Sequence, residues 1–373
     1  MMIQNSHNPP SEAPQLLATI LDEIVESHAS HIVVEELGLA MATHLGLKRA
    51  RNEDRIAVAR VVAPNTETYT VALVCDGVGG SESGDQAASL AIASLIADLA
   101  QEHGRPPLRE QAIALIRRAD DLVRKNLQGR GATTLVMLLC TASGQFVCAN
   151  VGDSRAYSWD LSSSKLDQVT TDDTIENELK HLPDNGAALI RARGLQGRLS
   201  QAIGEGGRTA DELRIQTYTK EYFRRGAVLG SDGLWRASND FEAAVANATT
   251  PSDAVRRASA LANWVGGVDN ASLIAIDDLE RLCGGQQQVS TPPQQTEISL
   301  WLSSTKIKIL TSNRLSENRS AQSRAKPEKP KSKAKRKGYR EIEDDLQLKL
   351  EETEIRQARP RLEIMVNEEP KKS

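Results

Sequence analysis

The chain has 373 residues, of which 39% are hydrophobic and 26% charged, so it is long enough for one large domain or two ordinary ones with a packed core. Aromatic residues make up only 3%, which favours an aliphatic core and argues against a surface that stacks single-stranded nucleic acid. The formal net charge is −4. No apolar run approaches the roughly 18 residues of a membrane span, and the N-terminus lacks the basic and apolar segments of a signal peptide. We therefore expect a soluble, cytoplasmic protein.

Residues 1–36 predict an N-terminal extension with one amphipathic helix. Its apolar stripe consists of Leu17, Ile20, Leu21, Ile24 and Val25. We expect this helix to pack back onto the rest of the chain, with docking of a partner protein as the alternative.

The region 37–280 has the dense hydrophobic pattern of a globular domain. Strand-like runs cover 37–46, 54–62, 69–75, 132–140, 145–151, 154–160 and 271–277. Apolar residues at helical spacing predict two helices, from Ala88 to Leu99 and from Leu108 to Leu122, and a third that begins at Thr250. The run TVALVC at 70–75 is apolar on both faces, so it must be covered on both sides. Tight turns imply antiparallel pairing, and the pattern predicts an α+β domain of two sheets packed face to face with helices outside.

The C-terminal part of the chain changes in character. Residues 281–320 predict a linker with a candidate hairpin in EISLWL and KIKIL, and 341–373 a charged tail. Residues 321–340 carry nine Lys and Arg against one Glu, so we expect a basic, disordered segment. A solvated linker is the favoured role, while binding of nucleic acid or another acidic surface and recruitment of substrate remain open.

The cysteines Cys75, Cys140, Cys148 and Cys283 have no C-x-x-C spacing, and three of them lie in apolar strand-like runs. This pattern predicts reduced thiols in the core and argues against disulfides or a zinc site.

The most informative stretch is VCDGVGGSESG, at 74–84, where a strand ends in Asp76 and four glycines follow within eight residues. So many glycines indicate close approach to the backbone by a phosphate, a nucleotide or a metal ion. A dinucleotide-binding turn would need glycine where Glu82 stands, and Asp76 would face the pyrophosphate. A P-loop is excluded because no Gly-Lys-Ser/Thr follows.

Carboxylates stand in five turns next to predicted strands. They are RARNED (49–54), CDGVGG (Asp76), VGDSRAY (Asp153), GSDGLW (Asp232) and VDNASL (Asp269). Acidic side chains that converge must repel one another unless cations neutralise them. Oxygen ligands without nearby His or Cys favour Mg²⁺ or Mn²⁺, and two such ions about 3.5–4 Å apart can lower the pKa of a shared water and direct it at a phosphoryl group. The sequence therefore predicts metal-assisted phosphate hydrolysis.

These stretches, together with GATTL, RLSQAIGE and DNASLIAI, follow one another over residues 38–278 in an order that resembles the metal-dependent serine/threonine protein phosphatases of type 2C, the PPM family, in their bacterial form. The resemblance implies a four-layer α-β-β-α sandwich with a phosphatase domain at 37–280. It implies hydrolysis of phosphoserine and phosphothreonine in proteins by in-line attack of a water or hydroxide that bridges two Mg²⁺ or Mn²⁺ ions. The alternative is a catalytically weak scaffold or phospho-sensor of the same fold that binds partners through its extensions.

The resemblance also implies roles for individual residues. Asp76 bridges the two metals and the carbonyl of Gly77 adds a ligand to the second, which would explain the glycines. Asp232 and Asp269 hold the first metal, Glu53 the second through water, and Asp54 orients bound waters. Asp153 with Asp232 resembles the pair that holds a weaker third metal. Arg49 resembles the guanidinium that grips the substrate phosphate, a task that suits a planar fork.

Other residues near these motifs have plainer interpretations. Thr133 and Thr134 are expected in a core strand beside the site, Trp235 to pack, Asn270 to form a turn and Arg155 to pair with local acids. Arg191, Arg193 and Arg198 lie in the segment 171–206, where the family has a variable flap; we expect a solvated surface there, and expect the same of His181.

One departure from many eukaryotic members is Val78, which stands where they carry a histidine that protonates the leaving group. Valine has no proton to donate, so we expect water to serve instead, as in the bacterial pattern. The expected partners are phosphoprotein substrates and an opposing serine/threonine kinase, and the expected oligomeric state is a monomer.

Overall fold

The computed structural model describes residues 12–24, 29–78, 83–181, 193–195, 197–284, 295–312 and 363–366. Within them the strands form two antiparallel sheets of six and eight strands. The six-stranded sheet has the order β1 (Ala29–Val34), β2 (Leu39–His44), β11 (Ala271–Ile276), β10 (Gly226–Gly230), β7 (Arg155–Asp160), β8 (Lys165–Gln168). The eight-stranded sheet has the order β14 (Glu363–Val366), β13 (Lys306–Ser312), β12 (Gln295–Trp301), β3 (Asp54–Val62), β4 (Thr68–Asp76), β5 (Leu135–Thr141), β6 (Phe146–Val151), β9 (Gln216–Tyr218).

Helices cover the outer face of each sheet. The helices of the described residues are α1 (Glu12–Ile24), α2 (Gly84–Leu99), α3 (Leu108–Asn126), α4 (Ile175–Glu178), α5 (Asp232–Trp235), α6 (Phe241–Ala246), α7 (Pro251–Trp264) and α8 (Leu279–Cys283), of which α8 packs into the core between the sheets. The helices α1, α2 and α3 share a core with the eight-stranded sheet, and α6 and α7 share one with the six-stranded sheet. A third core lies between the sheets. The predicted α+β sandwich of four layers is confirmed.

Strand β4 shows why two cores flank one sheet. Leu73 and Cys75 belong to the core beneath the helices, while Ala72 and Val74 belong to the core between the sheets. The apolar run predicted to be covered on both sides is therefore buried on both faces. The site strands are fixed at the centre of the sandwich by this packing.

The N-terminal helix packs on the body of the protein. Leu17 and Leu21 of α1 are buried in the core shared with α2 and α3, and Ile20 packs against it. This agrees with the expectation that the helix packs back. Strand β1, which the sequence analysis did not predict, pairs with β2 from Ala29↔His44 to Val34↔Leu39.

The hairpin predicted in the linker is present and extends the eight-stranded sheet. Strand β12 pairs with β13 and also with β3, from Glu297↔Val62 to Trp301↔Val58. Strand β14 pairs in turn with β13. The basic segment 321–340 lies outside the described residues.

The four cysteines are buried and free. Burial raises the pKa of the Cys75 and Cys148 thiols well above the ordinary value. In the part of the chain that the structure describes, no helix has both the length and the apolar character needed to cross a bilayer.

Candidate metal centre

Two aspartates lie side by side where neighbouring strands meet the end of the sheet. Asp54 begins β3, Asp76 ends β4, and the antiparallel register pairs them directly. Asp54 is 2% exposed. Its Oδ2 accepts a hydrogen bond from Ser231 Oγ at 2.8 Å, whereas its Oδ1 is buried with no hydrogen-bond partner. An unpaired buried carboxylate oxygen is costly, so this atom suits a role in which a cation or ordered water completes its surroundings.

Two threonines fix the backbone of Asp76. The carbonyl oxygen of Asp76 accepts hydrogen bonds from Thr134 N at 2.8 Å and Thr133 Oγ1 at 3.0 Å. The Asp76 amide donates to Thr134 Oγ1 at 3.0 Å. These bonds leave the Asp76 side chain as the part of the residue that faces its acidic neighbours.

Gly77 is required by close approach of three backbone segments. A Cβ atom at this position would lie 2.5 Å from the carbonyl carbon of Gly84 and 2.9 Å from the carbonyl oxygen of Glu53. The Gly77 amide donates to that Glu53 oxygen at 3.3 Å. A side chain at Gly77 would therefore push apart the segments that carry Glu53 and Asp76. Gly79 and Gly80 lie outside the described residues.

The six-stranded sheet contributes Asp232 and Asp269. Asp232 is the first residue of α5, just after β10, and Asp269 lies in the turn before β11; β10 and β11 are antiparallel neighbours. Gly233 allows this approach, because a Cβ there would collide with the Asn270 carbonyl oxygen. Asp232 lies close enough to Asp76, across the gap between the sheets, for the two carboxylates to interact electrostatically.

Asn270 clamps the loop that carries Glu53. It is 3% exposed, and its Oδ1 accepts a hydrogen bond from Glu53 N at 2.9 Å. Its Nδ2 donates to Leu45 O at 2.8 Å and Arg51 O at 3.2 Å. The loop from Leu45 to Glu53 is thus held against the turn before β11.

Arg49 lies between Glu53 and Asp269. Its Nη2 is 2.7 Å from Asp269 Oδ1 and 2.9 Å from Asp269 Oδ2, and its Nη1 is 3.5 Å from Glu53 Oε2. Arg51 Nη2 also approaches Glu53, at 3.0 Å from Oε1. The hydrogen bond to Asp269 raises the pKa of the Arg49 guanidinium further. About one third of the Arg49 side chain, 35%, is exposed, so it can meet a ligand from solvent.

Asp153 follows β6 and is paired with Arg236. The Nη2 of Arg236 is 2.6 Å from Asp153 Oδ2, and its Nε is 3.3 Å from Asp232 Oδ2. Its Nη2 also donates to Gly197 O at 3.4 Å. The guanidinium therefore stands between the two aspartates that the sequence analysis assigned to a third metal.

The acidic side chains form one electrostatic unit, which we call the carboxylate cluster: Glu53, Asp54, Asp76, Asp153, Asp232 and Asp269. Burial raises the pKa of Asp54 and of Asp153 to about 7, and that of Asp76 well above its ordinary value. Repulsion from the other aspartates raises each of these pKa values further. Burial also raises the pKa of Asp232, although Arg236 opposes the shift.

In the described part of the chain, no set of three or more His, Cys, Asp and Glu side chains lies close enough together to form a ready-made metal site. Arg49 and Arg236 instead supply positive charge to the outer carboxylates. The donor set nevertheless fits Mg²⁺ or Mn²⁺, because it consists of oxygens alone and includes the unpaired Oδ1 of Asp54.

The other predicted residues lie around the cluster. Arg155 donates to Asp172 from two nitrogens, at 2.9 and 2.7 Å, and stacks 3.4 Å above the ring centre of Trp235. The pairing expected for Arg155 is thus present. Two of the three arginines of the predicted flap, Arg193 and Arg198, belong to the described residues. Among the described contacts, neither pairs with the carboxylate cluster. Arg191 lies outside the described residues.

Arg236 and Asn270 have larger roles in the site than the sequence predicts, since Arg236 was assigned no role and Asn270 only a turn. Arg236 follows Asp232 by four residues, and i,i+4 spacing on a helical turn was the signal available. The three long-range bonds of Asn270 had no local signal, because their partners lie more than 200 residues away.

No protein-family model matches the chain. The chain is 27% identical over 248 residues to the serine/threonine phosphatase Stp of Listeria monocytogenes, a match that covers 63% of this chain and 93% of that protein. The PPM Ser-Thr phosphatase MsPP of Mycobacterium smegmatis, solved in complex with cacodylate, superposes with a TM-score of 0.50 and 25% identity, covering 64% of this chain and 97% of that one. The serine/threonine phosphatase PstP/Ppp of Mycobacterium tuberculosis gives a TM-score of 0.50 and 26% identity over 64% and 96% of the two chains. The fold and the ordered motifs agree with these relatives: the chain is similar in sequence and in fold to bacterial serine/threonine protein phosphatases of the PPM family.

Proposed function

We propose that this phosphatase hydrolyses phosphoserine and phosphothreonine in proteins with two divalent cations, Mg²⁺ or Mn²⁺, held by the carboxylate cluster. The observation that carries the proposal is the burial of aspartates from both sheets within one electrostatic unit. Burial raises their pKa values and repulsion among the aspartates raises them further, so bound cations would stabilise the ionised cluster. Such a cluster is a site for hard cations.

The positions of the acidic residues support distinct roles as metal ligands. Asp76 lies at the centre, since its pKa responds to four other aspartates of the cluster. It would bridge the two ions, with the Gly77 carbonyl as a further ligand. Asp232 and Asp269 would hold one ion, and Glu53 the other through water.

When bound, the ions supply the positive charge that the carboxylates lack and a water acidic enough to act as a nucleophile at neutral pH. Asp54, whose Oδ1 is buried and free of hydrogen bonds, would orient water at the site. Asp153 stands apart from this set because Arg236 already pairs with it. A third, weaker ion at Asp153 and Asp232 would require Arg236 to move.

Arg49 would bind the substrate phosphate. It reaches the cluster from the solvent side, and its five donors can grip two phosphate oxygens at once while it neutralises their charge. Its bond to Asp269 keeps the guanidinium beside the metal ligands, so the phosphorus would be presented where the nucleophile is formed.

We assign the phosphatase domain to residues 37–280, with the N-terminal extension before it. The C-terminal segments 281–320, 321–340 and 341–373 follow it. The match of 248 residues to the Listeria enzyme, at 93% of that protein's length, supports a catalytic unit of this size. Phosphoproteins would be its substrates, an opposing serine/threonine kinase its functional partner, and a monomer its working form.

The test is release of phosphate from a phosphoserine peptide and from para-nitrophenyl phosphate with added Mn²⁺. We expect turnover by the wild-type protein, loss of turnover in EDTA, and a decrease of at least about a hundredfold in Asp76→Asn. The matched control is Asp98→Asn, which removes a surface carboxylate that pairs with Arg118 at 2.7 Å. Turnover that survives both EDTA and Asp76→Asn would exclude the metal mechanism, and absence of turnover on any phosphopeptide would favour the scaffold.

A further inference from the structure

A buried arginine connects the N-terminal helix to the carboxylate cluster. Arg55 follows Asp54 on β3 and is 6% exposed. Its Nη1 donates to the carbonyl oxygens of Asn52 and Asp54, each at 2.9 Å. The guanidinium therefore holds the backbone on both sides of Glu53.

The other end of the same guanidinium is held by α1 and α2. Arg55 Nη2 lies 3.0 Å from Asp22 Oδ1 on α1, and Arg55 Nε donates to Ser89 Oγ on α2 at 2.9 Å. Ser89 Oγ in turn donates to Asp22 Oδ1 at 2.5 Å. The three side chains form a closed triangle of hydrogen bonds, and Asp22 supplies its negative charge.

Asp22 neutralises the buried charge of Arg55. A buried guanidinium needs an anion, because burial of an unpaired charge is costly. In the described contacts of Arg55, Asp22 is the carboxylate that it pairs with. A small cavity of about 20 Å³, lined by Leu21, Asp54 and Arg55 among others, places α1 directly behind Asp54.

We propose that Asp22 is a positioning residue of the metal centre, and that α1 acts as a built-in support for it. Through Arg55, Asp22 fixes the segment from Asn52 to Asp54, which carries Glu53 and Asp54 into the cluster. Without Asp22, the guanidinium would turn toward solvent or toward another acid and release the two backbone carbonyls. This inference rests on the proposed metal-dependent function, since the property that Asp22 tunes is the affinity of the cluster for cations.

The experiment compares full-length wild type, Asp22→Asn, Asp22→Glu and Ser89→Ala, with Asp98→Asn as the control that breaks an ion pair on the surface of α2. Mn²⁺ affinity is measured by calorimetry, the KM and kcat for a phosphopeptide by phosphate release, and folding by thermal melting. We expect Asp22→Asn to weaken Mn²⁺ binding about tenfold, as loss of an outer-shell partner of a metal ligand does. Ser89→Ala should act in the same direction, and Asp22→Glu should restore part of the affinity. Asp98→Asn should bind Mn²⁺ like the wild type.

A purely structural role predicts a different pattern. Asp22→Asn would then lower the melting temperature while Mn²⁺ affinity and kcat of the folded fraction stayed at the wild-type level, and this result would overturn the proposal. If Asp22→Asn does not fold, Ser89→Ala takes its place: its Mn²⁺ affinity and its melting temperature then distinguish a positioning role from a purely structural one. A wild-type protein that binds no Mn²⁺ and releases no phosphate would refute the proposed function itself, whereas an active wild type with an unaffected Asp22→Asn would refute only the role of Asp22.

Discussion

Arg49 contacts the carboxylate cluster while about one third of its side chain, 35%, is exposed to solvent. Its guanidinium bonds to both oxygens of Asp269 and lies within 3.5 Å of Glu53. These contacts fix the plane of the Arg49 guanidinium and leave some of its N–H groups free to donate to a phosphate. The position combines the orientation and the charge that phosphate binding needs.

Replacing Arg49 tests this role. We expect Arg49→Ala to raise the KM for a phosphopeptide about ten- to a hundredfold, the cost of a lost hydrogen bond to a charged group. Arg49→Lys should recover only part of the loss, because an ammonium cannot grip two oxygens in one plane. Initial-rate measurements with Mn²⁺ check both variants, with Arg118→Ala as a surface control. An unchanged KM in Arg49→Ala, or full activity in Arg49→Lys, would contradict the assignment.

Asp54 gives the metal-free protein a pH dependence whose sign can be worked out. Burial raises its pKa to about 7 in the folded state, whereas an unfolded Asp titrates near about 3.9. The folded protein therefore binds more protons than the unfolded chain between these values, and the free energy of unfolding falls as the pH rises. In EDTA, urea unfolding should show lower stability at pH 7.5 than at pH 5.

The variant Asp54→Asn removes this titration. It should lose less stability than the wild type over the same pH range, while Asp98→Asn should follow the wild type. A wild-type protein that becomes more stable between pH 5 and pH 7.5, or an Asp54→Asn variant with the same pH dependence, would disagree with a buried acidic cluster.

At the scale of residues, sequence could predict the carboxylates but not their pairing. Asp76 and Asp232 each stand next to an apolar strand, and that local pattern shows in the sequence. The contact between Arg236 and Asp153 joins positions 83 residues apart, and such proximity depends on how the sheets stack. The pairing of Arg49 with Asp269 likewise joins distant positions, 220 residues apart.

At the scale of elements, the loop from Leu45 to Glu53 depends on one amide side chain. Asn270 satisfies the Glu53 amide and two carbonyl oxygens of this loop. Because these groups are buried, removal of their partner leaves them without hydrogen bonds. The loop would then no longer hold Glu53 and Arg49 in place.

We expect Asn270→Ala to lower the free energy of unfolding by about 1–3 kcal/mol, the cost of leaving buried polar groups unsatisfied. Chemical denaturation measures this change, and calorimetry should show weaker Mn²⁺ binding. The matched control is Asn247→Ala, an exposed asparagine just after α6 whose side chain donates to Ala243 O of that helix at 2.8 Å. Equal stability of Asn270→Ala and Asn247→Ala would contradict the clamp.

Local pattern predicted most of the strands and helices of the central region. Strand β3 and the helices α2 and α3 follow from their apolar spacing. Strand β5 begins at Leu135, later than the predicted start at 132, although Thr133 still bridges Gly77 in the register of the β4–β5 pair. Strand β1 was missed because it is a sheet edge whose alternation is incomplete.

At the scale of the whole molecule, the C-terminal hairpin completes the eight-stranded sheet. Strand β12 covers the edge of β3, the strand that begins at Asp54. Ile298 and Leu300 are buried in the same core as α2 and α3. The hairpin is thus part of the folded body and not only a connection to the tail.

Truncation after Gly284 would expose the edge of β3 and the apolar residues beneath the hairpin. We expect the truncated protein to melt at a lower temperature and to self-associate, because an open edge strand pairs with other chains. Thermal melting and light scattering after gel filtration measure these effects, with a chain ending at Val366 as the control. A truncated protein that stays monomeric with the wild-type melting temperature would show that the hairpin is dispensable.

The layered architecture could be inferred from sequence because β4 is apolar on both faces, which requires a cover on each side. The hairpin could be predicted as a local pair of strands. The pairing of the hairpin with β3 could not be predicted from sequence, because the paired residues are more than 230 positions apart and their register depends on the assembled sheet. The same holds for the ionic link between α1 and Arg55.

We propose that the carboxylate cluster binds divalent cations through Asp76. Calorimetric titration of the metal-free protein with Mn²⁺ tests it most directly, with Asp76→Asn titrated in parallel. We expect saturable uptake of more than one ion per wild-type chain and much weaker uptake by Asp76→Asn. A wild-type protein that takes up no Mn²⁺, or an Asp76→Asn variant that takes up as much as the wild type, would contradict it.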